Sequence, residues 1–291
     1  MSYKKRAAVF ILLGQSNAVG HGTPMEDKDK IKKPLKNVFG LKRENNQSFE
    51  NKELYWSGYT SYGMNLAEEQ DDTYSVANCL ARLWQDEINA GNKNQLPDLY
   101  IVQIAIGAQG VTSGYMWNPD YERKLIPGRL GTVDISLYQF TVHILSKIKK
   151  SLYDIGKIPD VIKLHWRGGE NDMTVSDSLL QNTLKDNYNT LFDGFYNALG
   201  ENVETILHKI VCHERCFVLD PSGKFLKRMN YINSIFEEIT NESNNISIFD
   251  VCNAPYYTPN ERGNGLFMED VVHYTSQVNN WVAEQILESY K

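Results

Sequence analysis

Five apolar, β-rich segments recur along the 291-residue chain and alternate with segments of helical periodicity. The first three are apolar at nearly every position, as expected for strands buried on both faces of a sheet. The strand segments read RAAVFILLG, DLYIVQIAIG, DVIKLHWRG, ETILHKIVC and ISIFDVC. This alternation predicts a doubly wound α/β fold with a parallel sheet.

The helix-period segments read YSVANCLARLWQDEIN, SLYQFTVHILSKIKKSLYDI, SLLQNTLKDNYNTLFDGFYNAL, KRMNYINSIFEEITNES and SQVNNWVAEQILESY. No internal repeat or Pro/Gly-rich linker interrupts the pattern, so we expect one domain over residues 1–291. Residues 23–70 and 110–132 do not fit the alternation and are predicted to be long loops. Both follow strands at their C-terminal ends, where open α/β sheets bind ligands. Their aromatic residues either stack on sugar rings or cover the edge of the core.

Composition narrows the class of partners. Hydrophobic residues make up 42% of the chain and charged residues 23%, as in folded globular proteins. The net charge is −6, and a mildly acidic chain without basic stripes offers no electrostatic footprint for nucleic acid or an anionic membrane. No apolar run reaches the roughly 18 residues that span a bilayer. We therefore expect neither a nucleic-acid nor a membrane partner, and the oligomeric state stays open.

The N-terminal stretch YKKRAAVFILLG begins like a signal peptide. Its apolar run is short, however, and no small-x-small cleavage site follows it. The four cysteines of the chain are too few for a disulfide scaffold. We interpret the stretch as the first buried strand and expect a cytoplasmic protein.

The first strand runs directly into GQSN, residues 14–17. A serine hydroxyl is a weak nucleophile until a base removes its proton, and that base needs a third group to hold its tautomer. Ser16 is therefore either an ordinary turn serine or a nucleophile presented at a strand end. The segment alone leaves both interpretations open.

His273 is the best placed of six histidines to act as that base, since it stands just before the last helical segment. Asp270 precedes it by three residues. Within one loop this spacing lets the carboxylate reach Nδ1–H of the imidazole while Nε2 points outward. The alternative is that the two residues only cap the following helix, because D-x-x-H is a frequent pattern.

Two further strand ends carry candidate oxyanion donors. HWRGGENDM, residues 165–173, sets glycines close to Asn171, and an amide N–H aimed at a developing oxyanion is what acyl transfer requires. AIGAQGVTSGYMW, residues 105–117, offers a backbone N–H at Gly107 or Gly110. Glycine-rich strand ends also simply form turns.

Taken in order, GQSN, the glycine after the second strand, GEND and D-x-x-H resemble the four blocks of the SGNH hydrolase superfamily. More narrowly, GQSNAVGHG with HWRGGENDM is similar to the sialate O-acetylesterase-like and acetyl xylan esterase (carbohydrate esterase family 6) branch. The resemblance extends over nearly the whole chain. It implies a three-layer α/β/α, flavodoxin-like SGNH hydrolase fold with a central, mainly parallel five-stranded sheet.

The resemblance also implies a role for individual residues. Ser16 would be the nucleophile, His273 the general base and acid, and Asp270 the residue that orients His273. The oxyanion donors would be the N–H groups of Ser16 and Gly110 and the side-chain amide of Asn171.

Three residues in or beside these blocks are candidates for contact with the substrate: Gln15, Trp117 and Glu170.

The chain departs from the family pattern at two important places. The second block reads AQGVTS rather than GGTS, so Gly107 and Gly110 compete for the oxyanion role, and the spacing to Trp117 favours Gly110. The family's Gln in WHQGE is Gly168 here. If that Gln is an oxyanion donor, this protein lacks it, and Asn171 is the residue that would replace it. Losing one donor without a replacement costs about 10²–10³ in turnover.

The resemblance implies a serine esterase that removes O-acetyl groups from carbohydrate through an acyl-serine, without a metal or an organic cofactor. We discount a metal site in CHERC, residues 212–216, because no second ligand cluster accompanies it. Two alternatives remain. One is a short-chain esterase acting on small metabolites, and the other is a non-catalytic carbohydrate-binding relative that kept the pocket.

Overall fold

Seven strands form one sheet in this computed structural model, which describes residues 5–48, 52–68, 72–91, 96–122, 136–200, 202–212, 220–255, 257 and 269–291. The order across the sheet is β3-β2-β4-β1-β5-β6-β7, and all neighbours are parallel except the antiparallel pair β2–β3. The strands are β1 Arg6–Gly14, β2 Val38–Leu41, β3 Trp56–Gly58, β4 Asp98–Ala105, β5 Ile158–Arg167, β6 Val203–His208 and β7 Ile246–Phe249.

The five predicted strands are confirmed as β1, β4, β5, β6 and β7, and their order β4-β1-β5-β6-β7 is the flavodoxin-like arrangement. The predicted count of five was wrong, because β2 and β3 extend the sheet beyond β4. These two strands contain four and three residues and lie within the stretch 23–70. Segments this short show no measurable alternation of apolar and polar residues, so periodicity alone does not reveal them.

Helices cover both faces of the sheet. Side chains of β1 alternate between the faces: Val9, Ile11 and Leu13 pack with α4, α5 and α6, whereas Phe10 and Leu12 pack with α3 and α7. The helices are α1 Ser16–Val19, α2 Arg43–Asn46, α3 Val76–Asn89, α4 Leu137–Asp154, α5 Asp177–Leu199, α6 Lys224–Glu242 and α7 Ser276–Glu288. The three-layer prediction is therefore confirmed. None of the helices in the described ranges combines the length and apolar character that crossing a bilayer demands.

Serine and threonine side chains cap the N-termini of four of the long helices. Ser75, Ser136, Ser176 and Thr275 each accept a hydrogen bond from a backbone N–H in the first turn of the helix that follows. Such a cap satisfies one of the N–H groups that have no partner inside the helix and contributes about 1 kcal/mol. The caps therefore define where the chain leaves the loops and enters α3, α4, α5 and α7.

Strand β1 pairs with a parallel neighbour on both sides from Ala7 to Gly14. Its last residue, Gly14, lies opposite Ala105 of β4 and Arg167 of β5. The three neighbouring strands β4, β1 and β5 therefore terminate at the same level of the sheet. The segments that follow them share this edge of the sheet.

Gly14 permits the sharp turn after β1. Its φ is +140°, and a Cβ at this position would overlap the backbone carbonyl of Arg167. The same carbonyl accepts the Gln15 N–H at 3.0 Å. Only a residue without a side chain allows this close approach of the two strand ends.

Replacing Gly14 with alanine is expected to lower the free energy of unfolding by about 3 kcal/mol or more, because backbone strain adds to a steric overlap. Gly63→Ala is the matched control, since Gly63 also has a positive φ, of +70°, but an added Cβ there would have no atom of the described residues within 4 Å. The control should lose only about 1–2 kcal/mol. Urea unfolding followed by circular dichroism measures both, and equal losses would contradict the packing argument.

Candidate active site

A cavity of about 410 Å³ lies at the carboxyl ends of β1, β4 and β5. Five of the predicted site residues line it together: Gln15, Ser16, Glu170, Asn171 and His273. They come from the segments after β1 and β5 and from the loop before α7. The strand topology therefore brings together residues that are far apart in sequence.

Asp270 holds the ring of His273. Its Oδ2 lies 2.6 Å from His273 Nδ1, and its Oδ1 accepts the backbone N–H groups of Val272 and His273 at 2.8 Å each. Burial acts to raise the pKa of Asp270, but the hydrogen bond from His273 and the two backbone N–H groups outweigh it, so the pKa lies below its ordinary value. A carboxylate at this distance favours the tautomer of His273 that carries its proton on Nδ1, which leaves Nε2 to face away from Asp270.

Ser16 is the first residue of α1 and is 6% exposed. Its backbone carbonyl accepts the N–H groups of Gly20 at 2.8 Å and His21 at 2.9 Å. These bonds close the single helical turn that follows β1. Ser16 lines the cavity directly after β1, which is the middle one of the three strands. It therefore lies between the segments that follow β4 and β5.

Asn17 connects three segments of the site. Its side-chain amide nitrogen donates to Glu170 Oε1 at 2.7 Å and to the Val272 carbonyl at 2.9 Å. Asn17 is buried, and so is Glu170. The amide thus links the turn of Ser16 to the segment after β5 and to the loop that carries His273.

Arg167, the last residue of β5, forms a hydrogen bond to the turn that contains Ser16 and Asn17. Its Nη1 donates to the Asn17 carbonyl and to Asn279 Oδ1, both at 3.1 Å, and its guanidinium lies over the Tyr274 ring. Burial lowers the pKa of Arg167, and the neighbouring Tyr274 and Glu170 oppose that effect. The buried guanidinium therefore fixes the backbone next to Ser16 and the side chain of Asn279 on α7.

The two candidate glycines after β4 lie in different surroundings. Gly107 lines the cavity, and its N–H donates to Glu68 Oε2 at 2.7 Å. Gly110 does not line the cavity but packs against Asp172, whose Oδ1 would lie 2.5 Å from an added Cβ. Ala108, which has a φ of +60°, is the other residue of this segment that faces the cavity.

The carboxylate of Asp172 leaves no room for a side chain at Gly110. Its carboxylate accepts the N–H groups of Val111 and Thr112 at 3.0 Å and 2.9 Å, and also the Thr112 hydroxyl at 2.9 Å. Burial raises the pKa of Asp172 to about 6, although these hydrogen bonds act in the opposite direction. The GEND block therefore holds the segment after β4 through Asp172.

Asn171 and Gly168 occupy distinct positions in the third block. Asn171 lines the cavity, and its backbone N–H donates to Gln15 Oε1 at 3.3 Å. Gly168 lies against the Trp166 indole, where an added Cβ would be 3.1 Å from the ring. The amide of Asn171 is thus the side-chain amide that this block presents to the cavity.

Trp117 lies in the core. It is fully buried, donates from Nε1 to the Gly14 carbonyl at 3.0 Å and packs edge-on against Trp166. This position corrects the prediction that Trp117 contacts the substrate, because the indole does not reach the cavity. Its aromatic ring instead covers the core beneath the turn after β1.

Two of the other histidines are buried against each other. His165 Nδ1 and His208 Nε2 lie 2.9 Å apart on neighbouring strands. Burial lowers the pKa of His165 to about 3, with the nearby charges of Lys163 and Arg167 acting in the same direction. Neither histidine lines the cavity, whereas His273 does.

His21 and Glu68 also belong to the site, and sequence reasoning missed them. His21 lines the cavity, and its Nε2 lies 3.4 Å from Glu68 Oε1. Only the position of His21, five residues after Ser16, connects it to a recognised motif. Glu68 comes from the long stretch 23–70, where no pattern distinguishes it.

Within the described ranges, no cluster of three or more His, Cys, Asp or Glu side chains is arranged to hold a metal ion. Most of the CHERC motif, from residue 213 onward, lies outside the described residues. Its first residue, Cys212, is buried with its sulfur 3.9 Å from that of Met173.

Replacing Asn17 with aspartate should lower the free energy of unfolding by about 2–4 kcal/mol at pH 7. The change turns a buried donor into a carboxylate facing the Glu170 carboxylate and a carbonyl. The matched control is Asn230→Asp on the exposed face of α6, which we expect to change stability by less than about 0.5 kcal/mol. Urea titrations of both variants test this, and a stable Asn17→Asp protein would refute the linking role.

Comparison with known proteins identifies the fold. No protein-family profile matches the sequence, and no curated protein matches it significantly. Among solved structures, NanS is similar over 100% of this chain and 98% of its own, with a TM-score of 0.59 and 17% identity. XAC1771, described as a novel carbohydrate acetylesterase from Xanthomonas citri, is similar over 95% of this chain and 54% of its own, with a TM-score of 0.52 and 10% identity.

Both similarities extend over nearly the whole of this chain, at identities low enough that they bear on the fold alone. The protein therefore shares its fold with NanS and XAC1771.

Proposed function

We propose that this protein is a serine esterase that hydrolyses O-acetyl or other short acyl esters of carbohydrates. One observation carries the proposal: Ser16 and His273 line the same cavity, and Asp270 holds His273 through a 2.6 Å contact to Nδ1. A nucleophile, a base and an orienting carboxylate are the parts that acyl transfer through a serine requires. The fold shared with NanS and with the carbohydrate acetylesterase XAC1771 supports the substrate class.

In the proposed reaction, Ser16 Oγ attacks the carbonyl carbon of the ester while His273 Nε2 accepts the hydroxyl proton. The bond between the carbonyl carbon and the alcohol oxygen then breaks, and His273 returns the proton to the leaving alcohol. Water attacks the acyl-serine with His273 again acting as base. This second step releases the carboxylic acid and restores the Ser16 hydroxyl.

The oxyanion donors in this proposal differ by one residue from those implied by sequence. Gly110 lies against Asp172, and the Gly107 N–H is already donated to Glu68. Within the described part of the chain, the N–H groups of Ser16 and Ala108 donate no hydrogen bond, and both residues line the cavity. We therefore assign the backbone donors to Ser16 and Ala108.

Asn171 supplies the third donor in the proposal. Its side chain lines the cavity, and no hydrogen bond of its side-chain amide is formed within the described ranges. Each donor of an oxyanion hole contributes about 10²–10³ in turnover. Asn171 thus compensates for Gly168, which stands where the family has an amide side chain.

Gln15 and Glu170 belong to the lining of the proposed substrate site. Gln15 accepts the Asn171 N–H, and Glu170 accepts from Asn17, so each side chain is fixed by a neighbour from another strand end. Fixed polar groups of this kind orient a bound substrate at little cost in conformational entropy. Their main effect is to hold the Asn171 segment next to Ser16.

Replacing Ser16 with alanine should reduce hydrolysis of p-nitrophenyl acetate and of acetylated xylan by about 10⁴-fold or more, because no other group in the proposal forms the acyl intermediate. Ser247→Ala, at an exposed position of the edge strand β7, is the control and should keep the wild-type rate. Acetate release measures both reactions. Hydrolysis of the aryl ester alone would favour the short-chain esterase. Binding of acetylated sugar without turnover would favour the non-catalytic relative.

Asp270→Asn should lower kcat by about 10²–10⁴-fold while changing KM little, because the amide no longer holds the Nδ1 tautomer of His273. The hydrogen bonds at Asp270 keep its pKa below the ordinary value, so it stays ionised throughout the neutral range. The wild-type rate should therefore show no titration of this carboxylate between about pH 5 and 9. A pH–rate profile of kcat for both proteins tests this, and an unchanged kcat would remove Asp270 from the mechanism.

A further inference from the structure

The cavity has a wall on either side of Ser16. Because β1 lies between β4 and β5 in the sheet, the segment after β4 forms one wall and the segment after β5 forms the other. The first contributes the Gly107–Ala108 backbone, and the second contributes Asn171 and Met173. His21, five residues after Ser16, also lines the cavity.

His21 is tied to the turn of the nucleophile. Its backbone N–H donates to the Ser16 carbonyl at 2.9 Å, so its position relative to Ser16 is set within one turn of chain. Gly22, which follows it, would place a Cβ 2.6 Å from the Cβ of His273. The rings of His21 and His273 lie edge to face, with centroids 6.4 Å apart. His21 thus stands beside the base without belonging to its hydrogen-bonded pair.

Glu68 sets the orientation of the His21 ring. One carboxylate oxygen lies 3.4 Å from His21 Nε2, and the other accepts the Gly107 N–H. The side chain of Glu68 is 8% exposed, while that of His21 is 27% exposed. A buried carboxylate next to Nε2 favours the tautomer with its proton on that nitrogen.

The other ring nitrogen of His21 is therefore left for a ligand. Within the described part of the chain, Nδ1 has no hydrogen-bond partner, although the residue lines the cavity. In the tautomer that Glu68 favours, Nδ1 is a hydrogen-bond acceptor. Alcohol hydroxyl groups are the donors that suit such an acceptor, and a plain aryl or alkyl ester brings none.

We infer that His21 is a specificity-determining residue whose Nδ1 accepts a hydrogen bond from a free hydroxyl group on the alcohol part of the ester. The inference rests on the proposed esterase function and deepens it, because it selects polyhydroxylated alcohols over simple ones. Glu68 is the positioning residue for this contact. The contact is made before the alcohol leaves, so it affects acylation and not hydrolysis of the acyl-serine.

The kinetic test compares partially acetylated xylo-oligosaccharide with p-nitrophenyl acetate. His21→Ala should lower the ratio of the two kcat/KM values by about 10- to 100-fold, the effect expected when a buried contact to a substrate hydroxyl is lost. Deacylation should be unaffected, since both substrates form the same acetyl-serine. His143→Ala on α4 is the control for loss of a histidine and should leave the ratio unchanged. An unchanged ratio in His21→Ala overturns the inference.

Two conservative variants separate contact with the substrate from a structural role. His21→Asn keeps a polar atom close to the position of Nδ1, whereas His21→Gln keeps one close to Nε2 and hence to Glu68. We expect His21→Asn to restore more of the selectivity ratio than His21→Gln. The reverse order would mean that His21 acts only by holding Glu68, which overturns the inference.

A binding measurement makes the test independent of turnover. Calorimetry with Ser16→Ala and with the double variant Ser16→Ala/His21→Ala, using the same oligosaccharide and an O-acetylated sialic acid as probes, should show Kd raised by about tenfold or more in the double variant. Equal affinity, or failure of both probes to bind Ser16→Ala, overturns the inference. If the wild type hydrolyses neither ester but the double variant still binds more weakly, the proposed function fails and the sugar contact stands.

Discussion

The pairing of β1 with β4 on one side and β5 on the other, maintained to its last residue, is the constraint on which the site depends. It brings three carboxyl ends to the same level, so that the segments after them line one cavity. Gly14 makes this possible because it has no side chain, and the backbone of Arg167 occupies the space that a Cβ would need. The chain must therefore turn sharply after β1, and the next residues face the cavity.

Three carboxylates, two of them buried, then hold the segments at that edge. Asp270 accepts two backbone N–H groups and orients His273, and Asp172 accepts the N–H groups of Val111 and Thr112. Glu68 does the same for Gly107 while facing His21. Charge-assisted hydrogen bonds to backbone N–H groups are stronger than neutral ones and fix loops that have no regular structure of their own. The cavity is consequently shaped by side chains that do not themselves react.

Sequence reasoning predicts what repeats with a regular period and misses what depends on contact between distant segments. The long strands and helices were predictable because burial imposes their periods, whereas β2 and β3 are too short to show one. Trp117 was misplaced because an aromatic residue in a loop has the same signature whether it covers the core or faces a ligand. No sequence pattern indicated a role for Glu68, because its partners His21 and Gly107 come close to it only in the folded chain. Motif order placed Ser16, Asn171 and His273 in one site, and the cavity unites these residues.

The central claim is that Ser16 forms a covalent acyl intermediate. The most direct measurement is to treat the protein with a fluorophosphonate, digest it and locate the added mass by tandem mass spectrometry. The account predicts one phosphonylated residue, Ser16, and loss of labelling when His273 is replaced by alanine. Labelling of a different residue, or none under conditions where the ester is hydrolysed, would contradict it.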